Sequence, residues 1–561
     1  MNLKIPKTQY AIELYGEGKL KVNKSKPVIE PTGFQVLCKV EATGLCFSDL
    51  KLLKQFSAHA RKGQVVSGID KGILETIPSY VPDDMPTVPG HETVVRIVAV
   101  GDKVREHKVG ERCLVQTDYR GLKTAGGSNA AFGYNFEGGL QEYVIVDERI
   151  SRDAETGERL LIPVGEGSSA SSICLVEPWA CVEDSYQSDE RKSFKKNSRV
   201  LVVIDPDYEP IGIKDCFHPY DAPFDVTVIC SKKQHISALR KIFIEIKCAD
   251  NPDSLPDKNY DDIIYFGVNK DTIIFLDKKL ADGGIINIVK GRKKIGSPVP
   301  IVIGRIHYGR TRWVGTTSKE AHEGYDMIPF CLDLCGEERI LIIGAGGPMG
   351  QMHTIRNICS EMGRLKITAT DLDDTRLESL RSKAEPLAKK YYARFKTLNT
   401  SKEPITGTYD YIAIMVPAPQ LVSNAIKLAA NDSKINIFAG IPASTIHEID
   451  LDMLIQKRCF LFGTSGSVLK DMKIVLDKIK EGWLDTDISV DAISGMAGAI
   501  DGISALENRT MSGKIIVYPQ IHELGLLPLS ELSSKLPNVA AMLKNGIWCK
   551  EAENELLKSA T

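Results

Sequence analysis

Two stretches of this chain follow the same course, and they constrain its fold more than any other feature. One opens with Arg199-Val-Leu-Val-Val-Ile204, passes through Asp262-Ile-Ile-Tyr-Phe266 and Ile286-Asn-Ile288, and reaches Val314-Gly-Thr316. The other opens with Arg339-Ile-Leu-Ile-Ile343, passes through Asp410-Tyr-Ile-Ala-Ile414 and Ile435-Asn-Ile437, and reaches Phe462-Gly-Thr464. The runs are short and apolar, with helical patterns between them, as βαβ units in a parallel sheet require. The step from 262 to 286 nearly equals that from 410 to 435, and 286 to 314 nearly equals 435 to 462. We therefore expect an α/β chain with a doubly wound parallel sheet whose unit is duplicated.

The chain flanking these stretches reads differently. Up to about residue 150, strand-like runs (Val36 to Val40, Thr93 to Val100, Tyr143 to Val146) are punctuated by Pro89-Gly90 and Gly138-Gly139, a β pattern. After about 490, helical segments lead into the strand-like Ser512-Gly-Lys-Ile-Ile-Val-Tyr518 and a polar helical tail. With 71 Lys and Arg against 73 Asp and Glu, no basic footprint for nucleic acid or an anionic membrane is expected. No segment approaches the roughly 20 apolar residues of a membrane helix, and Met1 to Tyr10 lacks an apolar signal core. The 13 scattered Cys contain no CxxC pair, which suits reduced thiols in the cytoplasm.

Two constellations carry chemistry. The first is three short stretches: Gly44-Leu-Cys-Phe-Ser-Asp49, Pro89-Gly-His-Glu92 and Leu175-Val-Glu-Pro178. Catalytic zinc takes about three protein ligands and keeps one open position. Cys46 offers a thiolate, His91 an imidazole, and Glu92 and Glu177 carboxylates. The second is the loop Gly344-Ala-Gly-Gly-Pro-Met-Gly350, which follows the strand at 339 and precedes a helical pattern. Such a turn lets backbone N–H groups approach a pyrophosphate at a helix N-terminus. The G-x-G-x-x-G spacing fails by one, because Met349 stands where Gly344 and Gly346 require glycine; the extra residue is expected to lengthen the loop. Asp371 ends the next strand-like run about 20 residues on, where a carboxylate can accept from both ribose hydroxyls and repel a 2′-phosphate. NAD is favoured over NADP, although Arg376 nearby could pair with a phosphate. The cofactor-site candidates are Gly344, Gly346, Gly347, Pro348, Met349, Gly350, Asp371 and Arg376.

These stretches, with Met511-Ser-Gly-Lys-Ile-Ile-Val-Tyr518, resemble the zinc-dependent medium-chain dehydrogenase/reductases. Glu177-Pro178 resembles the sorbitol dehydrogenase branch, whereas Gly133-Tyr134, Gly138-Gly139 and Cys46-Phe-Ser-Asp-Leu-Lys51 look more like the L-sorbose-1-phosphate reductase relatives. The likeness spans roughly 8–185 and 339–520 and leaves out 199–330. It implies a GroES-like zinc catalytic domain (1–190), a degenerate Rossmann-like domain (191–335), an NAD-binding Rossmann domain (336–490) and a C-terminal return to the catalytic domain with a helical tail (491–561).

The resemblance also implies Cys46, His91 and Glu177 as zinc ligands, with Glu92 the carboxylate that can approach the metal. Ser48 would begin the proton relay, and activity would sit in a cleft between the zinc and nucleotide domains. Lys51 stands where many relatives have a relay His, and could instead bind a phosphate. Only Cys113 falls where relatives carry four cysteines for a second metal, so one catalytic zinc and no structural zinc are expected. The segment from Lys51 to Pro89 is long and lies beside the implied substrate mouth.

The implied reaction moves a hydride between a polyol, sugar or sugar-phosphate hydroxyl and NAD, with zinc as Lewis acid, in a homo-oligomer without nucleic-acid or membrane partners. A zinc-free enone or quinone reductase, or an inactive nucleotide-binding regulatory protein, are the alternatives; zinc content separates them. The unit at 199–330 is not expected to bind a dinucleotide, because its first strand leads into Asp205-Pro-Asp-Tyr-Glu-Pro210. Carboxylates there would repel a pyrophosphate, and the prolines lack N–H donors.

Overall fold

A computed structural model describes residues 5–249, 252–360, 362–464 and 466–559. The chain forms two compact units, residues 1–180 with 467–561, and residues 181–466. The return to the first unit thus falls at 467, against the expected 491, and the two α/β stretches share one unit.

The first unit is built on an eight-stranded, mostly antiparallel sheet. Its order is Leu161–Pro163, Arg112–Val115, Glu92–Val100, Gln35–Gly44, Lys514–Val517, Val490–Ser494 and Leu527–Pro528, with Tyr143–Asp147 also pairing Gln35–Gly44. The central strand Gln35–Gly44 is almost wholly buried, and its apolar residues pack on both faces. Leu45, Leu50, Val88, Leu140 and Ile515 form a buried cluster at its far end; each contributes about 1.5–3 kcal/mol through burial. Register then does the positioning. Gly44 pairs with Glu92 on one side and Ile516 on the other, so three segments remote in sequence meet where the central strand ends.

The tail is fastened inside this unit. Glu553, on the closing helix Lys550–Ser559, is buried. Its carboxylate accepts from the backbone N–H groups of Ala170 (2.6 Å) and Ser171 (2.9 Å), from Ser171 Oγ (3.1 Å) and from Tyr518 O–H (2.9 Å). It thereby holds the start of the helix Ala170–Cys174, which runs directly into Val176–Gln187 and Glu177.

The second unit holds two six-stranded parallel sheets. One runs Lys247–Cys248, Asp225–Cys230, Arg199–Ile204, Tyr260–Phe266, Leu280–Val289, Arg312–Thr316; the other runs Arg394–Asn399, Lys366–Asp371, Arg339–Ile343, Tyr409–Ile414, Ala429–Ile437, Phe460–Phe462. Counted along the chain, both follow the order 3-2-1-4-5-6. The ladders shift the expected alignment by one residue. Arg199 N–H donates to Asp261, and Arg339 N–H to Asp410, so the counterpart of Asp410 is Asp261 rather than Asp262. Ile263 pairs with Ile286 as Ile412 pairs with Ile435, and the two spacings become equal. Asp262 instead points inward and pairs with Arg191 at 2.6 Å.

The two lobes meet along their sixth strands. A Cβ on Gly315 would strike Ile455, and one on Gly463 would strike His307, so the shared Gly-Thr step is a close approach between lobes. Val299–Ile301 and His447–Ile449 form an antiparallel ladder across the junction. Arg312 donates to Gly463 O (3.3 Å), and Ile295 and Gly296 N–H to Asp452 (3.2 and 2.9 Å).

Candidate active site

Cys46 follows the central strand by two residues and caps the helix Phe47–Gln55; His91 immediately precedes the strand Glu92–Val100. Because Gly44 and Glu92 are register partners, the ligand atoms of Cys46, His91 and Glu92 lie within 4.8 Å of one another. Glycine at 44 leaves room for the Glu92 carboxylate, since a Cβ there would stand 2.2 Å from Oε2.

Asp49 organises the cluster. It is 2 % exposed and sits in the first turn of Phe47–Gln55. Its carboxylate accepts from Cys46 N–H (2.9 Å) and Gly90 N–H (3.1 Å), and faces His91 Nδ1 at 3.2 Å. Burial works against charge on His91, but Asp49 outweighs it and drives the imidazole's pKa well up. With Nδ1 taken by Asp49, Nε2 is left as the ligand atom, the arrangement that orients metal-binding histidines.

Lys514 closes the other side. Its Nζ lies 2.5 Å from Glu92 Oε1, both side chains being buried. Glu92 Oε2, also buried, has no hydrogen-bond partner in the described residues. An unpaired buried carboxylate oxygen beside a thiol and an imidazole is a costly arrangement unless a cation serves it, so the donor set fits a metal. Glu177 lies in the first turn of Val176–Gln187, outside the 4.8 Å group. Burial, reinforced by Glu92 and opposed by His91, raises its carboxyl pKa. Ser48 is half-buried and Lys51 exposed on Phe47–Gln55, one turn apart.

Neither Asp49 nor Lys514 stood out as a site residue in the sequence. Asp49 was legible as a carboxylate three residues after a helix-capping position. Lys514 was legible as a charge opening an apolar strand.

In the second unit, the loop at 344–350 joins the first strand of the second sheet to the helix Pro348–Ile358. Gly344 has φ +82°. Gly350 takes the close-packing role, since a Cβ there would lie 2.3 Å from Gly344 O. The additional residue is absorbed at Gly347, the helix cap, around which a Cβ would meet nothing; Pro348 opens the helix, and Met349 is half-buried. Asp371 Oδ2 accepts from Gly346 N–H at 2.9 Å, and a Cβ on Gly346 would touch Arg376 Cβ. Gly346, Asp371 and Arg376 thus converge at the mouth of the loop. The helix is anchored behind by Arg356, which bridges Glu183 (2.8 Å) and Asp333 (2.6 Å).

In the other lobe the corresponding space is filled. Tyr265 O–H donates to Asp205 Oδ2 (2.7 Å) and Tyr208 O–H to Lys290 O (3.0 Å).

A β-rich unit with a Cys–His–Glu cluster, and a 3-2-1-4-5-6 parallel sheet closed by a glycine loop, are the combination seen in alcohol dehydrogenases. Comparison with known proteins agrees. Residues 32–152 match the alcohol dehydrogenase GroES-like domain. Mannitol-1-phosphate 5-dehydrogenase of Aliivibrio fischeri is 22 % identical over 387 residues, 63 % of this chain and 85 % of that protein. L-sorbose 1-phosphate reductase of Klebsiella pneumoniae is 23 % identical over 342 residues, 55 % of this chain and 75 % of that one. In fold, the chain is similar to 2R,3R-butanediol dehydrogenase from Bacillus subtilis (TM-score 0.51, 17 % identity, 91 % of this chain and 100 % of that one). The chain is thus similar to the medium-chain dehydrogenase/reductases, as the sequence motifs implied, and to polyol and alcohol dehydrogenases among them.

Proposed function

We propose that the chain is a zinc- and NAD-dependent dehydrogenase acting on a hydroxyl of a polyol, sugar or sugar phosphate. The observation that carries this reading is the convergence of Cys46, His91 and Glu92 within 4.8 Å, with Glu92 Oε2 buried and unpartnered. Relatives named for mannitol 1-phosphate and L-sorbose 1-phosphate support the substrate class.

Cys46, His91 and Glu92 would hold the metal, with Glu177 as the further carboxylate the resemblance implies; when bound, the metal supplies a Lewis acid to the reacting oxygen. Asp49 fixes the His91 ring and tautomer through Nδ1. Glu92, restrained at one oxygen by Lys514, keeps the other directed at the cluster. Ser48 Oγ takes the hydroxyl proton as the bond to hydrogen weakens. From Ser48 the proton leaves to water; Lys51, one turn further along the same helix and exposed, adds positive charge beside that path. In the second unit, Gly344, Gly346 and Gly350 let the chain approach a pyrophosphate, with Pro348 and Met349 opening the helix behind it. Asp371 accepts from the ribose hydroxyls and Arg376 flanks them, which favours NAD.

Elemental analysis of the purified protein tests the metal, and polyols and sugar phosphates assayed with NAD and NADP test the reaction. About one zinc per chain, lost with turnover in Cys46→Ala, is expected. A zinc-free protein that turns over normally would overturn this function.

A further inference from the structure

Beside the Cys46–His91 cluster lies a group of cationic side chains. Tyr134 connects them: its buried ring lies 5.8 Å from the His91 ring on one side and 5.1 Å from the His59 ring on the other. The Arg61 guanidinium lies over the same ring at 5.6 Å. Arg61 is about a quarter exposed, and its nearest carboxylate, Asp118, is 3.6 Å away, too far for a hydrogen bond. Among the described residues its guanidinium makes none. Asp118 is shared, since Arg120 lies equally far from it. Lys51 stands close enough for its charge to act on His59. Arg61 and Arg120 thus share one carboxylate, Lys51 stands near the same histidine, and Arg61 also lies close enough to Glu177 for its charge to act on that carboxyl.

The position of Arg61 is fixed from both sides. Lys62, next in the chain, is buried and donates to the carbonyls of Val81 and Met85. Thr124 Oγ1 donates to Ala60 O at 2.7 Å. Glycine at 126 lets its turn approach, because a Cβ there would lie 2.6 Å from Ala60 O. His59 Nδ1 accepts from Arg61 N–H at 3.2 Å, so the ring hydrogen sits on Nε2 as a further donor. Burial, with Arg61 and Lys51, lowers the His59 pKa to about 4, and the ring is neutral at pH 7.

We propose that Arg61, with Lys51, Arg120 and His59, forms a subsite for the phosphoryl group of a phosphorylated polyol or sugar whose reacting hydroxyl lies at the Cys46–His91–Glu92 cluster. This rests on the reading of that cluster as the catalytic centre. Arg61 presents a planar fork to two oxygens of one anion, and Lys51 and Arg120 add positive charge suited to a phosphate dianion. The segment between Lys51 and Pro89 supplies both His59 and Arg61, so its length has a use. Arg61 is here a specificity-determining residue, since it touches the substrate's remote end and takes no part in bond making.

Calorimetric titration of the zinc-loaded full chain with inorganic phosphate tests the subsite apart from the reaction. Wild type should bind phosphate. Arg61→Met should weaken that binding about tenfold or more, and Arg61→Lys, which keeps charge but loses the fork, by less. Thermal melts monitor folding; if Arg61→Met does not fold, Arg61→Lys and Lys51→Met carry the same comparison. Steady-state kinetics should show Arg61→Met raising KM for a phosphorylated polyol while leaving KM for its unphosphorylated parent. Arg61-dependent phosphate binding without turnover of any polyol supports the subsite and counts against the dehydrogenase reading alone. Wild type that fails to bind millimolar phosphate, or Arg61→Met that binds it equally well, overturns the proposal.

Discussion

Truncating Glu553 to Ala should loosen the first unit from its far end. The carboxylate accepts from Ala170 N–H, Ser171 N–H, Ser171 Oγ and Tyr518 O–H. Ser171 Oγ keeps a second acceptor in Asp487 at 2.6 Å, so three buried donors are stranded. At about 1–2 kcal/mol each, the loss is about 3–6 kcal/mol. One effect opposes it. Asp487 is fully buried, and burial, together with Asp485 and with Glu553 itself, raises its pKa. Removing Glu553 relieves that repulsion, which leaves a net cost of about 3–5 kcal/mol. For a unit of this size each kcal/mol moves Tm by about 2–4 °C, so Glu553→Ala should melt roughly 10 °C below wild type. Glu553→Gln keeps one acceptor oxygen and removes the charge beside Asp487, so it should cost about 1–2 kcal/mol. Differential scanning calorimetry on the zinc-loaded chain reads both, and zinc content should fall in the Ala variant because the Ala170–Cys174 helix leads to Glu177. A Glu553→Ala shift under about 3 °C, or Glu553→Gln less stable than Glu553→Ala, refutes the reasoning.

Other expectations follow from other regions. Burial and Arg356 hold the His353 pKa down at about 3. The ring stays neutral in the fold while the unfolded chain takes up a proton below about pH 6.5. Stability should then fall as pH drops from about 6.5 toward 3, by about 2 kcal/mol at pH 5; denaturant titrations at pH 7 and 5 should show a smaller difference in His353→Gln. Asp371→Ser should narrow the preference for NAD, and kcat/KM that favours NADP in the unaltered protein would remove Asp371 from the ribose site. Titration with NADH should give one site per chain, because Tyr265 and Asp205 fill the first lobe; two equivalent sites would contradict this. Lys514→Met should leave the Glu92 carboxylate buried without its counter-ion, costing about 3–5 kcal/mol, and a melt unchanged from wild type would show the pair to be unimportant.

Much of this was legible in the chain because it is local. Cys46, His91 and Glu92 sit in short stretches of fixed composition, and the glycine loop announces itself by the strand before it and Asp371 after it. The parallel sheets were readable from apolar periodicity, and even a one-residue misalignment at Asp262 left the topology intact. What stayed hidden depends on register between distant segments. Lys514 reaches Glu92 only because Ile516 pairs with Gly44, and Glu553 reaches Ala170 from the opposite end of the unit. Arg61 became notable only when Tyr134 placed it beside the cluster, since in sequence it is one arginine in a polar run. The extra glycine at 347 could be counted but not located, because the role it displaced is decided by how Gly350 packs on Gly344.

The junction between the two parallel sheets has a consequence for how the molecule behaves on dilution. A sheet edge is an invitation to pair with another molecule, and pairing between separate molecules weakens as concentration falls. Here Phe460–Phe462 is met by Arg312–Thr316 of the same chain, and the small ladder of Val299–Ile301 with His447–Ile449 is likewise internal. The first lobe acts as a tethered companion, present at a fixed effective concentration however scarce the protein becomes. Gly315 and Gly463, each pressed against the other lobe, are where that companionship is most easily broken: a single methyl group at either would wedge apart a contact that dilution cannot.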